Sequence, residues 1–424
     1  MTDYTTTRRR LLRGIAGTGL AMGAIGVGSA QSTETYVVTG GSTSSIESAG
    51  FSVTRELAGG SVFIVAGDGD SGDDLDSASG VNGVTEDFEV EFANPVETEP
   101  QTTEDAAFTE LQWDKEITDT FEAHDHATGE GTRIVIADTG VDGSHPDLAG
   151  NFNEELSRSF INGGQEAPHI GDSGDHGTHV AGTAAATGDV GVTGTAPDAE
   201  LVSVRVLGPD SSSFADVLAG ADYAAEIGAD VANFSLGAGP FPPQANSDGT
   251  RVAVQRVMQD AARRGTVSTV SAGNAETNLQ QGGLFYLPGT VQGVMTVSAT
   301  GPNDELAFYS NYGTNEIEVG APGGGRATEE ETETEDLVYS TVPGGYAWFA
   351  GTSMAAPQVA GLVGLVREIN PGANANQVEN AIAQGAELVQ GRSSPEFGAG
   401  RINVLNTVEQ GGSPGGGNGN GRGP

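Results

Sequence analysis

The amino-acid sequence predicts an α/β protein in which a mostly parallel sheet carries helices on both faces and is preceded by a small α+β domain. From about residue 106, short apolar runs alternate with helical stretches, as expected for strands buried on both faces. Before that point the chain holds short β-type runs, with one helical candidate between the first two. That segment closes in the acidic, proline-bearing stretch Asn94-Pro95-Val96-Glu97-Thr98-Glu99-Pro100-Gln101, which reads as a linker.

Residues 1–30 open with Arg8-Arg9-Arg10-Leu11-Leu12 and continue into a glycine- and alanine-rich apolar stretch at 14–27. The stretch is too short and too weakly apolar to span a membrane permanently. It reads as a cleaved export signal of the twin-arginine type, which implies a secreted protein exported already folded. Residues 31–101 carry β-type runs at 36–38, 60–65 and 88–92, and are either a propeptide or a small permanent domain. Residues 102–410 form the main domain, with strands expected at 133–137, 201–207, 230–234, 267–270 and 294–297 and helices at 179–186, 214–227 and 251–264. In such sheets the active groups gather outside the carboxyl ends of the strands. The acidic run at 329–336 reads as a solvated loop, and residues 411–424 as a glycine-rich disordered tail.

Composition narrows the partners. Asp and Glu number 58 against 18 Lys and Arg, a formal net charge of -40. That surface excludes a nucleic-acid partner and disfavours an anionic membrane. In dilute buffer it would repel itself, whereas at molar salt the Debye length falls to about 3 Å, so a salt-adapted protein is expected. Intrinsic disorder does not fit, because 36% of residues are hydrophobic and fall in periodic blocks. Cysteine is absent, so there are no disulfides. A monomer is expected.

Three side chains form a chemical set. Asp138 directly follows the apolar run 134–137 and projects into the crevice at a strand end. His176 opens the small-residue helix His176-Gly177-Thr178-His179-Val180-Ala181-Gly182-Thr183, and an imidazole pKa of about 6.5 suits proton transfer near neutrality. Ser353 lies in Gly351-Thr352-Ser353-Met354-Ala355-Ala356-Pro357, where the glycine-rich loop Pro343-Gly344-Gly345 gives way to an apolar helical run. Unpaired N–H groups at a helix start favour negative charge developing beside that hydroxyl. Pro357 is expected in the first helical turn, where a missing N–H matters least. Asn274, after the strand 267–270, offers a donor for an oxyanion, worth roughly 3 to 4 kcal/mol.

Five blocks carry a resemblance. Asp138-Thr139-Gly140-Val141-Asp142 with His145-Pro146-Asp147-Leu148, the His176 to Thr183 block, Asn233-Phe234-Ser235-Leu236-Gly237, Ser271-Ala272-Gly273-Asn274 and the Gly351 to Pro357 block resemble the signatures of subtilisin-like serine proteases, in that family's order. Acidic composition and the signal narrow the resemblance to halolysin-type secreted proteases of haloarchaea. It implies an endopeptidase acting on proteins or peptides, with Ser353 as nucleophile, His176 as base and acid, Asp138 orienting the imidazole and Asn274 as oxyanion donor. Ser235, Leu236 and Gly237 would pair with the substrate as an added strand. Residues 31–101 resemble the family's propeptides, which assist folding, inhibit and are then cut off by the enzyme itself.

The resemblance also implies a structural calcium ion held by Asp147, Gln112 and carbonyls of the loop 187–192, although that loop is one residue shorter than the family pattern. His179 is expected to be structural. Tyr286 is placed near the back of the primary specificity pocket, where a bulky ring would narrow it. Two rival readings stand beside this one. Ile136-Ala137-Asp138-Thr139-Gly140 also looks like an aspartic-protease signature, whose second carboxylate would have to come from Asp172-Ser173-Gly174. The other rival is a catalytically silent surface binding protein on the same fold.

Overall fold

In the computed structural model the described residues are 33–68, 72–90, 95–98, 109–161, 163–208, 213–247, 249–388 and 395–411. The expected signal at 1–30 and residues 412–424 of the tail expected at 411–424 lie outside them, while Gly411 ends the helix Val404–Gly411. Strands β1 (Thr33–Gly40), β2 (Ser52–Leu57), β3 (Val62–Asp68) and β4 (Val81–Glu86) form an antiparallel sheet in the order β2-β3-β1-β4. Period-2 alternation divides β1 between two cores. Tyr36 and Val38 pack with Ile46, Phe51, Phe63 and Val65, while Val37 faces the main body together with Leu57, Val62 and Ile64.

Of the strand expected at 88–92, residues 88–90 form only an isolated bridge, Glu89 with Ser213, while 91 and 92 lie outside the described residues; β4 takes the free edge of β1. Residues Asp87 and Phe88 turn toward the main body instead. The Asp87 carboxylate accepts from the Ala215 N–H at 2.9 Å and from the Ser213 hydroxyl, capping the helix Phe214–Glu226, and Phe88 stacks on Phe214 at 4.6 Å.

The remaining strands are β5 (Val96–Glu97), β6 (Arg133–Asp138), β7 (Arg158–Ser159), β8 (Ala167–Pro168), β9 (Glu200–Arg205), β10 (Val231–Phe234), β11 (Ala238–Phe241), β12 (Val267–Ser271), β13 (Phe285–Leu287), β14 (Met295–Thr300), β15 (Val319–Pro322), β16 (Val338–Val342) and β17 (Gly345–Ala350). Eight of them build the main sheet in the order β15-β14-β12-β10-β6-β9-β7-β8, parallel throughout except where β8 joins β7. Alternate residues of β6 again serve both faces. Ile134 and Ile136 join the core under the helices His176–Ala185 and Thr352–Ile369, and Val135 and Ala137 join the core under Phe214–Glu226 and Thr250–Arg264. The glycine-rich loop is the turn of the hairpin β16–β17, with Gly344 at φ +82°.

One expectation is corrected at the helix Thr352–Ile369. It begins two residues earlier than the apolar run, so Pro357 is its sixth residue and lies beyond the first turn. The proline has no N–H to offer the Ser353 carbonyl. That carbonyl instead accepts from the Ser235 hydroxyl at 2.7 Å.

Candidate active site

Asp138 is the last residue of β6, fully buried between β9 and β10. Its Oδ1 accepts from the Thr139 N–H and lies 2.7 Å from Nδ1 of His176, the first residue of the helix His176–Ala185. Burial alone would push the imidazole pKa down, but the charge and hydrogen bond of Asp138, helped by the charges of Asp172 and Glu97, hold it above the ordinary 6.5. Thr139 joins the two elements: its hydroxyl accepts from the Gly177 N–H at 2.9 Å and donates to Asp172 at 2.7 Å.

These contacts correct the aspartic-protease reading. Asp138 faces an imidazole, and Asp172 is committed to the start of the helix, accepting from the Thr178 N–H at 2.9 Å and the Thr178 hydroxyl at 2.5 Å. His179 is structural. Its Nε2 lies 3.2 Å from the carbonyls of Val338 and Ala347, its ring stacks on Phe349, and burial pushes its pKa down to about 3.

Ser353 sits in the first turn of a helix packed against the His176 helix. Its hydroxyl donates to the carbonyl of Ser235, just beyond the end of β10, at 3.2 Å. Asn274 follows β12 through Gly273, whose φ of +94° makes the turn that brings the amide back toward Ser353. The Asn274 Oδ1 accepts from both the N–H (3.0 Å) and the hydroxyl (2.8 Å) of Thr352, so the amide N–H₂ is its donor end. Ser235 and Leu236 are buried, and Gly237 leads into β11.

Two positioning residues were not evident from sequence. Thr352 aims Asn274, and buried Asn311 braces the segment around it, donating to the Ala272 carbonyl and accepting from the Ala275 and Thr277 N–H groups. Thr352 adjoins the serine and was the one with a local signal. Asn311 had none, because only the fold brings it near.

Asp147 and Gln112 both reach the loop 187–193, but the donor set does not fit calcium. The Asp147 carboxylate accepts from the N–H groups of Val190, Gly191 and Val192 at 2.7 to 3.2 Å and from the Tyr346 hydroxyl at 2.8 Å. The positive ends of those dipoles stand where a cation would have to sit. Gln112 spends both ends of its amide on the backbone of Thr193. Among the described residues, no group of three or more His, Cys, Asp or Glu is placed to hold a metal. The loop closes on the carboxylate itself.

A peptide hydrolase of the serine type is the class that this sheet topology and these contacts define. Residues 129–400 match the model of the subtilase family, and the chain belongs to that family. It is 33% identical over 312 residues to thermitase of Thermoactinomyces vulgaris, covering 73% of this chain and 99% of thermitase. It is 35% identical over 280 residues to subtilisin Savinase of Lederbergia lenta, covering 65% of this chain and 90% of that protein. The same identity over 280 residues with alkaline elastase YaB of a Bacillus species spans 64% of that relative. Among solved structures, fervidolysin from Fervidobacterium pennivorans shares the fold with a TM-score of 0.71 at 23% identity, covering 89% of this chain and 61% of that one.

Proposed function

We infer that this chain is a secreted, salt-adapted serine endopeptidase, made as a zymogen that processes itself and acting as a monomer on protein or peptide substrates. The carrying observation is the Asp138–His176 pair held at the end of β6, beside the helix Thr352–Ile369 that carries Ser353 in its first turn. With Nδ1 of His176 turned to Asp138, Nε2 is the nitrogen that takes the Ser353 proton as the hydroxyl oxygen adds to a peptide carbonyl. The Asn274 N–H₂ donates to the oxyanion. When the C–N bond breaks, His176 returns that proton to the departing amine, and water repeats the sequence to release the acid and restore the hydroxyl.

Self-processing is supported by the path of the linker. Residues of β5 pair antiparallel with β17, Val96 opposite Ala350 and Glu97 opposite Phe349, and the Thr98 N–H donates to the Trp348 carbonyl at 3.0 Å. The chain joining the N-terminal sheet to the main body thus runs beside the strand that leads into Ser353, as a substrate strand would. Export through a twin-arginine signal rests on residues 1–30, and the halolysin-type kinship rests on the acidic composition. Among the described residues, no helix is long and apolar enough to cross a membrane.

A fluorophosphonate should form one covalent adduct, located by mass spectrometry on the peptide containing Ser353. Absence of an adduct on soluble, folded enzyme would leave only a binding protein on this fold. The pH profile supplies a second check. Because the pKa of His176 is raised, the neutral base accumulates late, and kcat/KM should climb along a limb whose midpoint lies above 6.5. The same shift makes the protonated pair stabilising below the unfolded value of about 6.5, a contribution lost as pH rises through the folded value. A midpoint at or below 6.5 would contradict the pairing with Asp138.

A further inference from the structure

The helix that opens at His176 and the helix that carries Ser353 lie against each other through small residues. A Cβ placed on Gly361 would lie 2.8 Å from the Ala184 carbonyl and 2.5 Å from Cβ of Thr195. The Thr195 segment caps the end of the His176 helix, the Ala196 N–H donating to the Ala184 carbonyl at 2.9 Å. Small side chains make shallow ridges, so this packing fixes how closely the helices approach and does little to fix their axial register.

One turn nearer the active site, on the same face of the Ser353 helix, the gap holds a buried polar cluster. Lys115, in the short helix Trp113–Glu116, is fully buried, and its ammonium donates to one acceptor on each neighbour. These are the Thr183 carbonyl of the His176 helix at 2.9 Å, the Thr195 hydroxyl at 3.1 Å, and Oε1 of Gln358 on the Ser353 helix. Gln358 is committed at both ends of its amide: Nε2 donates to Asp114 at 2.7 Å, and Oε1 accepts from the Thr195 hydroxyl at 3.1 Å as well. Asp114, 3.3 Å from the ammonium, supplies the counter-charge.

Gln358 directly follows Pro357, which denies the Ser353 carbonyl its intrahelical bond. The first turn, with the nucleophile on it, is therefore tied to the body of its helix by one bond fewer. Outside contacts take over, the Ser235 hydroxyl in front and the cluster at Gln358 just behind.

We propose that Lys115 is a positioning residue for catalysis: by joining Thr183 on one helix to Gln358 on the other, its ammonium fixes the register that brings the Ser353 hydroxyl to the His176 imidazole. The proposal rests on the peptidase reading. A buried ion pair stabilises a fold no better than apolar groups of the same volume, and its best-attested use is to select one register among several. The hydrogen bonds of Lys115 go to neither Ser235, Leu236 nor Gly237, so its loss should fall on turnover and spare substrate binding.

The test uses the processed enzyme at molar salt, with competent sites counted by fluorophosphonate labelling carried to completion. Two variants break the link differently. Asp114→Asn combined with Lys115→Met removes both charges together, so neither is left buried alone. Gln358→Met keeps the charge pair and the bond to Thr183 but releases the Ser353 helix. In each, kcat per labelled site should fall by about tenfold to a hundredfold, the loss that a misplacement of about 1 Å brings, with KM within about twofold of wild type. The pH midpoint should stay where it is, because the Asp138–His176 contact is untouched. A group that only stabilised the fold would change the melting temperature and the number of labelled sites, and would leave kcat per site alone. Either variant labelling fully yet turning over within about twofold of wild type per site would overturn the proposal, as would a loss confined to KM. Wild type that takes no label would end the peptidase reading first and this proposal with it.

Discussion

Replacing Ser353 with alanine is expected to abolish peptide hydrolysis and to leave the exported chain uncut between its N-terminal sheet and its main body. Turnover should fall by about 10⁶-fold, a magnitude taken from removal of the corresponding serine in subtilisin and not obtained for this chain. The fold should survive. The lost hydroxyl makes one bond, to the Ser235 carbonyl, while the Ser235 hydroxyl still reaches the main-chain carbonyl of residue 353, which alanine retains. The orphan created by Pro357 therefore stays satisfied, and the melting transition should move by no more than a point change away from a packing defect, about 0.5 kcal/mol. Mass spectrometry of the exported variant should find the linker intact, with residues 31–101 still covalently joined to the main body. A variant that matures like wild type would show that another protease makes the cut, or that residue 353 is not the nucleophile.

Much of this site was legible in the sequence because its parts sit at element boundaries. Asp138 ends an apolar strand, His176 and Ser353 open helices, and Asn274 follows a strand through a glycine, so local pattern was enough to mark each. What escaped was set by contacts distant in sequence. The sole lysine, Lys115, would ordinarily be assigned to the surface, yet it is buried, its ammonium donating to the Thr183 carbonyl at 2.9 Å and to Thr195 at 3.1 Å, with Asp114 3.3 Å away. Those two acceptors lie 68 and 80 positions downstream, beyond the reach of any periodicity. The fit of calcium at Asp147 was out of reach for a related reason. Asp147 and Gln112 are the residue types that a hard cation wants, but the direction of the loop's N–H groups, which decides between cation and carboxylate cradle, depends on backbone torsions along the whole loop.

Transfer into dilute buffer should unfold the enzyme and end its activity. Of the 18 basic residues, several already serve internal pairs: Arg326 grips Asp336 with two nitrogens at 2.6 and 2.7 Å, Arg401 meets Asp304 and Glu387, and Arg264 meets Asp222 and Asp260. Those pairs leave the formal charge of -40 uncompensated, much of it in exposed runs such as Glu329-Glu330-Glu331. At 0.1 M salt the Debye length is about 10 Å, so neighbouring surface carboxylates repel one another; near 1 M it is about 3 Å and most of that repulsion disappears. Screening of this kind depends on ionic strength, not on the identity of the cation. Sodium and potassium chloride should therefore protect equally at equal strength, and a chelator at molar salt should leave the melting temperature unchanged, as the N–H-lined Asp147 site requires. Full activity after prolonged dialysis into dilute buffer would refute salt adaptation. Loss of the fold on chelation at molar salt would instead place a structural metal where the donors at Asp147 leave no room for one.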